Sequence, residues 1–136
     1  MLITDKVLLA NGKPVASTNY QYRVVNATWG VVATSGVVDC SAHNHRQLSF
    51  KVATMTAGSV GYRIEGRNLT TAYQSSSSDR WADVYTASKT AAMTIDELIN
   101  IVEPFDELRV GWRCAPAPTA TADNVVYADV FLAEER

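Results

Sequence analysis

Apolar and polar residues alternate along several short segments of the chain, and turn-forming residues fall between these segments. Leu48, Phe50 and Val52 interleave with Gln47, Ser49 and Lys51, and Tyr62 and Ile64 interleave with Arg63 and Glu65. Leu108, Val110, Trp112 and Cys114 interleave with Arg109, Gly111 and Arg113. Near the end, Val126, Ala128, Val130 and Leu132 alternate with Tyr127 and Asp129. Successive side chains of a strand point to opposite faces, so each segment predicts one buried and one solvated side. Four such segments predict an all-β fold: an antiparallel β-sandwich, jelly-roll-like, with at most one short helix. The expected core is Leu48, Phe50, Val52, Ile64, Leu108, Val110, Val126, Val130 and Leu132. Trp112 belongs with this core, so its removal is expected to destabilise the fold. Arg109 and Arg113 lie on the opposite face, and truncating them is expected to spare it.

The turn chemistry predicts how the strands connect. Asn11-Gly12 followed by Pro14 suits a tight turn. Ser35-Gly36 predicts a hairpin between 29–34 and 37–40, and Ala57-Gly58 a second between 50–55 and 59–66. A serine run at 75–78, closed by Asp79, reads as a polar loop before a strand over 80–86. Pro116 and Pro118 predict an extended, exposed connection over 115–124. The last strand, 125–132, is apolar and no helix follows it, so it reads as an edge that must be covered. Self-association is the expected cover.

One segment competes with the strand pattern. Thr94 and Glu97 have capping-box spacing, and Ile95, Leu98, Ile99 and Val102 recur at helical intervals before Pro104. A two-turn helix over 95–102 and a strand over 91–96 with an irregular crossing both remain open.

With 136 residues the chain has the length of one domain, 1–136. Hydrophobic residues at 47% and charged residues at 19% describe a globular composition. The formal net charge of −2 and the scattered Lys and Arg argue against nucleic-acid partners and against a basic membrane-binding surface. No apolar run approaches the roughly 20 residues that cross a bilayer as a helix. Asp5 and Lys6 interrupt the apolar N-terminal stretch, so no cleaved signal peptide is expected. Without a secretion signal, Cys40 and Cys114 read as buried free thiols, a disulfide being the alternative.

Catalytic and metal chemistry find little support. His43 and His45 would share a face on a strand, but no third ligand sits at a recognised spacing, so both read as loop residues and no metal is expected. There is no G-x-S-x-G elbow, no phosphate-cradling glycine pattern and no reactive-looking cysteine, so no cofactor and no catalytic residue is assigned. The carboxylates Glu65, Asp83, Asp96, Glu97, Glu103, Asp106, Glu107 and Asp129 read mostly as solvated groups at strand ends and turns. Asn26-Ala27-Thr28 and Asn68-Leu69-Thr70 read as chance glycosylation sequons. Trp29, Trp81, Trp112, Tyr62, Tyr73 and Tyr85 would serve a sugar-stacking surface or, on the simpler reading, a core and an interface. Trp81, Tyr85, Arg109 and Arg113 are therefore the expected contact residues, and the chain is expected to bind and assemble, not to catalyse.

The strings "VGYRIEGRN", "RWADVYTAS" and "EPFDELRVGWR" between Val60 and Arg113 resemble strands of small β-sandwich proteins of tailed-bacteriophage virions. The resemblance covers a little over a third of the chain. It implies a head decoration (cement) protein or a neck, tail or fibre accessory, made in the bacterial host cytoplasm and located in the virion. The implied partners are the major capsid protein or other virion proteins and further copies of the chain, with a trimer expected. A carbohydrate-binding module, on a fibre or tail, is the alternative.

Overall fold

The computed structural model describes residues 2–15, 18–22, 26–27, 33–34, 36–40, 43–56, 58–68, 81–115 and 124–135. Trp29, Tyr73, the serine loop, most of the proline connection and the Ser/Thr ends of both sequons lie outside them. The strands are β1 (Leu2–Pro14), β2 (Gln21–Tyr22), β3 (Asn26–Ala27), β4 (Ala33–Thr34), β5 (Val37–Asp39), β6 (His45–Met55), β7 (Ser59–Arg67), β8 (Ala82–Lys89), β9 (Glu97–Asn100), β10 (Glu107–Ala115) and β11 (Asn124–Glu135). They form two sheets. The first runs β3-β1-β11-β6-β9; the second runs β4-β5-β10-β7-β8, with β2 also pairing with β10. All pairings are antiparallel. The fold is an all-β antiparallel sandwich consistent with a jelly roll, as the alternation predicts.

The period-two segments bury the faces assigned to them. All nine expected core residues are at most 1% exposed, and Trp112 and Tyr62 are the two largest fully buried side chains. Phe50 of the first sheet stacks on Tyr62 of the second, with ring centroids 4.1 Å apart. The Ser35-Gly36 hairpin is present: β4 and β5 pair Thr34 with Val37 across it, and Gly36 takes a positive φ of 80°.

Four expectations are corrected. Gly12 makes no turn: β1 continues through it, and its φ of 68° sits at a register shift against β11. A bulge absorbs the extra residue, which the Asn-Gly pair permits as readily as a turn. Ala57-Gly58 joins β6 of one sheet to β7 of the other, so it is an arch between layers and not a hairpin. The final strand β11 is not an edge; it lies between β1 and β6, and the first sheet's edges are β3 and β9. Its apolar side is buried by the facing sheet, which removes the stated reason for covering it. Finally, the ambiguous segment is neither helix nor a strand over 91–96. It is the short strand β9, paired with Gln47–Phe50 of β6, and Met93 N–H and Ile101 N–H donate to Val52 and Arg46 carbonyls on either side of it. Those strand-like bonds overrule the capping spacing, and no described residue is helical.

Candidate functional site

The outer face of the second sheet carries an interleaved row of arginines and aromatics. On β7, residues 61, 63, 65 and 67 point outward; on β10, residues 107, 109, 111 and 113 do. The antiparallel register sets Arg67 beside Glu107, Glu65 beside Arg109, Arg63 beside Gly111 and Gly61 beside Arg113. Arg67 Nε lies 2.8 Å from Glu107 Oε1, and Arg109 Nε donates to Glu65 Oε1 at 3.2 Å. Arg63 Nε is 3.2 Å from Glu65 and 3.9 Å from Asp83.

The rings fit between these cations. Arg67 and Arg109 both lie over Trp81, 4.4 Å from its centroid. Arg109 also covers Tyr22 at 4.1 Å, while Arg63 and Arg113 cover Tyr20 at 4.1 and 4.5 Å. The resulting order is Arg67, Trp81, Arg109, Tyr22, Arg63, Tyr20, Arg113. Tyr22 lies against the sheet because position 111 is glycine: a Cβ there would come within 2.7 Å of its ring. Its hydroxyl donates to Glu65 and accepts from Arg63 Nη2 at 2.6 Å. Burial, and then Glu65, raise the pKa of that hydroxyl. Glu65, only 5% exposed, is thus held by two guanidiniums and a phenol, which is what a buried carboxylate requires. The expectation that it would be solvated is corrected: Tyr22 of β2 and the arginines beside it close over it.

Trp81, Arg109 and Arg113 therefore share one face, and Tyr85 does not. Simple alternation would align Tyr85 with Trp81 and Asp83. A register shift in β8, where Ile64 pairs with Tyr85 but Glu65 pairs with Asp83, makes Val84 the extra residue and turns Tyr85 inward. There Tyr85 helps close the gap between β8 and β9. Tyr62 Oη donates to Glu97 at 2.6 Å, Tyr85 Oη donates to the same carboxylate at 3.2 Å, and Lys89 forms an ion pair with it. Burial opposes the charge on Glu97, but Lys89 and the two tyrosines outweigh it and hold its carboxyl below the ordinary range. Burial, with Glu97, pushes the Tyr62 hydroxyl far up.

The outer face of the first sheet is different. Tyr127 and Phe131 of β11 are each 41% exposed; across β6, at the β9 edge, Leu98 is 60%, Ile95 77% and Val102 83% exposed. A cleft of about 570 Å³ opens between Phe131, Val102, Gln47 and Asn100. Lys6 reaches Asp129 at 3.6 Å and lies 5.6 Å from the Phe131 centroid. Ser49, buried in this face, donates to Asp96. Burial raises the pKa of Asp129 against the pull of Lys6, Asp96 adds to the rise, and Asp129 Oδ1 has no hydrogen-bond partner.

His45 opens β6 as an exposed residue and His43 precedes it half-buried. Among the described residues no group of three or more His, Cys, Asp or Glu converges. Cys40 and Cys114 are buried and not joined to each other by a disulfide, and burial pushes the Cys40 thiol up to about 12. The cleft at Phe131 contains a histidine without a nucleophile. A second, at Arg113, contains hydroxyls without a base.

No protein-family profile matches the chain, and no curated protein does. Solved structures do match. PRD1 vertex protein P5 superposes with a TM-score of 0.57 at 13% identity, over 97% of this chain and 96% of that one. An Eiger TNF structure from S. frugiperda gives 0.56 at 9% identity, over 99% and 93%. Murine APRIL gives 0.54 at 11%, over 96% and 98%. The likeness is one of fold. All three superpose over more than nine-tenths of both chains.

Sequence reasoning placed Trp81, Arg109 and Arg113 but missed Tyr20, Tyr22, Arg63, Glu65 and Arg67 as one assembly. The signal was there in the spacing: Tyr-x-Tyr at 20–22, Arg-x-Glu-x-Arg at 63–67 and Arg-x-x-x-Arg at 109–113 each repeat at even intervals.

Proposed function

We propose that this chain is a structural protein of a tailed-phage particle, a capsid decoration or cement protein that binds capsid subunits and further copies of itself. The observation that carries the reading is the exposed apolar group Ile95, Leu98 and Val102 at the β9 edge, on the sheet whose outer face also exposes Tyr127 and Phe131 across β6. Such a cluster at a short sheet edge is ordinarily an interaction site. Phe131 and Tyr127 belong to the face of the sheet and Leu98 to its edge strand, so edge-on-face contact between copies would be heterologous. A heterologous contact whose rotation closes makes a ring, and we take the trimer as that ring. The buried Glu65 network and the Glu97 seam supply the rigid body that a clamp between subunits needs. The end-to-end match to a viral vertex protein supports the same reading at the level of fold.

Electron cryo-microscopy of particles from cells that produce the chain tests this. Ordered density at regular positions on the particle, fitted by this sandwich, is the expected result. Particles that carry none of the chain would overturn the proposal.

A further inference from the structure

The arginine ladder ends unevenly. Arg67 has Glu107, Arg109 has Glu65, and Arg63 has both Glu65 and Asp83. Arg113 lies over Tyr20 and pairs with no carboxylate among the described residues. Its cross-strand neighbour on β7 is Gly61; Arg63 likewise faces a glycine, Gly111, but has Glu65 two residues along its own strand and Asp83 on β8. The empty place is an open cleft of about 330 Å³. Arg113, Tyr20, Ser59, Thr86 and Ser88 line it, and Gly61 forms its floor. The Ser59 hydroxyl makes one long bond, 3.4 Å, to the Ala115 carbonyl.

We propose that this cleft binds a carboxylated sugar, a uronic-acid unit of an acidic polysaccharide, with its carboxylate on Arg113 and its hydroxyls on Tyr20, Thr86 and Ser88. Stacking on Tyr20 holds the guanidinium plane, which leaves its fork for a bidentate carboxylate. Three arginines of the same ladder already meet an internal carboxylate, Arg109 through both Nε and Nη2. The size is at the lower end of small-ligand clefts, roughly 300–1,000 Å³. The surrounding hydroxyls decide the class. An Asp or Glu side chain from another protein would cover them with methylene groups and leave them unpaired, which costs free energy, whereas a polyol ring pairs with them. A neutral sugar that binds by stacking is disfavoured, because Arg63 and Arg113 already cover the Tyr20 ring. This site is on the sheet opposite the apolar strip, so it stands apart from the assembly reading.

The test is a titration of the full chain with sodium D-glucuronate, followed by amide chemical shifts. D-glucose, acetate and N-acetylglutamate serve as separate arms. Saturable shifts at Gly61, Thr86, Ser88 and Arg113 are expected with glucuronate, at least tenfold tighter than with glucose or acetate. Arg113→Gln should weaken glucuronate binding at least tenfold and leave the melting temperature nearly unchanged, since the side chain is exposed. Gly61→Ala is the second variant: its Cβ would sit 3.6–3.8 Å from its neighbours, ordinary contact, so the fold survives while the floor is raised. It too should weaken binding. Absence of saturable shifts, equal affinity for acetate, or tighter binding of N-acetylglutamate would each overturn the proposal.

Discussion

The two outer faces of the sandwich begin from the same pattern and end with opposite characters. On the second sheet, each outward position of β7 and β10 from Arg63 to Arg67 and from Glu107 to Gly111 finds a partner within the face. Long guanidinium stems cover the rings, the rings order the guanidiniums, and a buried carboxylate sits beneath them. On the first sheet, β9 is only four residues long and its outward Leu98 is left 60% exposed. The lesson concerns where a surface keeps unmet demand. A face rich in charge can be internally complete, and a face with few charges can be the one that needs a partner. Counting arginines would choose the face opposite the one we propose for assembly.

Both faces depend on one core, and the largest expected effect lies there. Trp112→Ala should cost about 3–5 kcal/mol, measured by denaturant unfolding, because it empties the space of the largest buried side chain. A much smaller loss would mean that the two faces are not held by a shared interior.

The next effect separates the inner rungs of the ladder from its end. Arg109→Ala leaves the buried Glu65 with one guanidinium and should cost about 1–3 kcal/mol. Arg113→Ala gives up only its contact with Tyr20 and should change stability within about 0.5 kcal/mol. This revises the expectation from the strand pattern alone, which spared both arginines. Equal losses in the two variants would break the distinction between a completed rung and an open one.

Titration compares the seam with the first sheet's face. The carboxyl of Glu97 is held below its ordinary value of 4.5, so its contribution to stability is present above that pH. It should be lost as pH falls through the lower, folded value. Glu97→Gln is expected to be less stable than the parent at neutral pH, with the gap closing under acid; a gap that widens under acid would contradict the seam. Asp129 runs the other way. Its folded value lies above the ordinary 3.8, so its favourable contribution exists below that pH and disappears as pH rises. Asp129→Asn should therefore be slightly more stable than the parent at neutral pH, by within about 0.5 kcal/mol, and show no advantage at acid pH.

The alternation made the core legible, since even-numbered positions in β6, β7, β10 and β11 needed no other information to be placed. What parity cannot register is an inserted residue or a change of sheet. Val84 shifts β8 by one and moves Tyr85 off the face of Trp81, and Gly12 likewise interrupts the pairing of β1 with β11. Ala57-Gly58 looks locally like a hairpin, because a tight reversal and an arch both favour small residues at positive φ. Arg109, Arg113 and Trp81 were recognisable as surface groups. Their assembly with Tyr20, Tyr22 and Glu65 depends on β2 docking beside β10, a contact between residues about ninety positions apart that no local pattern encodes.

Assembly through the first sheet's face is the central claim, and sedimentation velocity of the wild type beside Leu98→Asp tests it most directly. Leu98 is exposed in the single chain, so the substitution leaves the fold intact and places a charge in the proposed contact. The account predicts a wild type that sediments at a small whole multiple of the chain mass, a trimer, and a variant that sediments as one chain. A wild type that remains a single chain at hundreds of micromolar, or a variant that assembles as the wild type does, would contradict it.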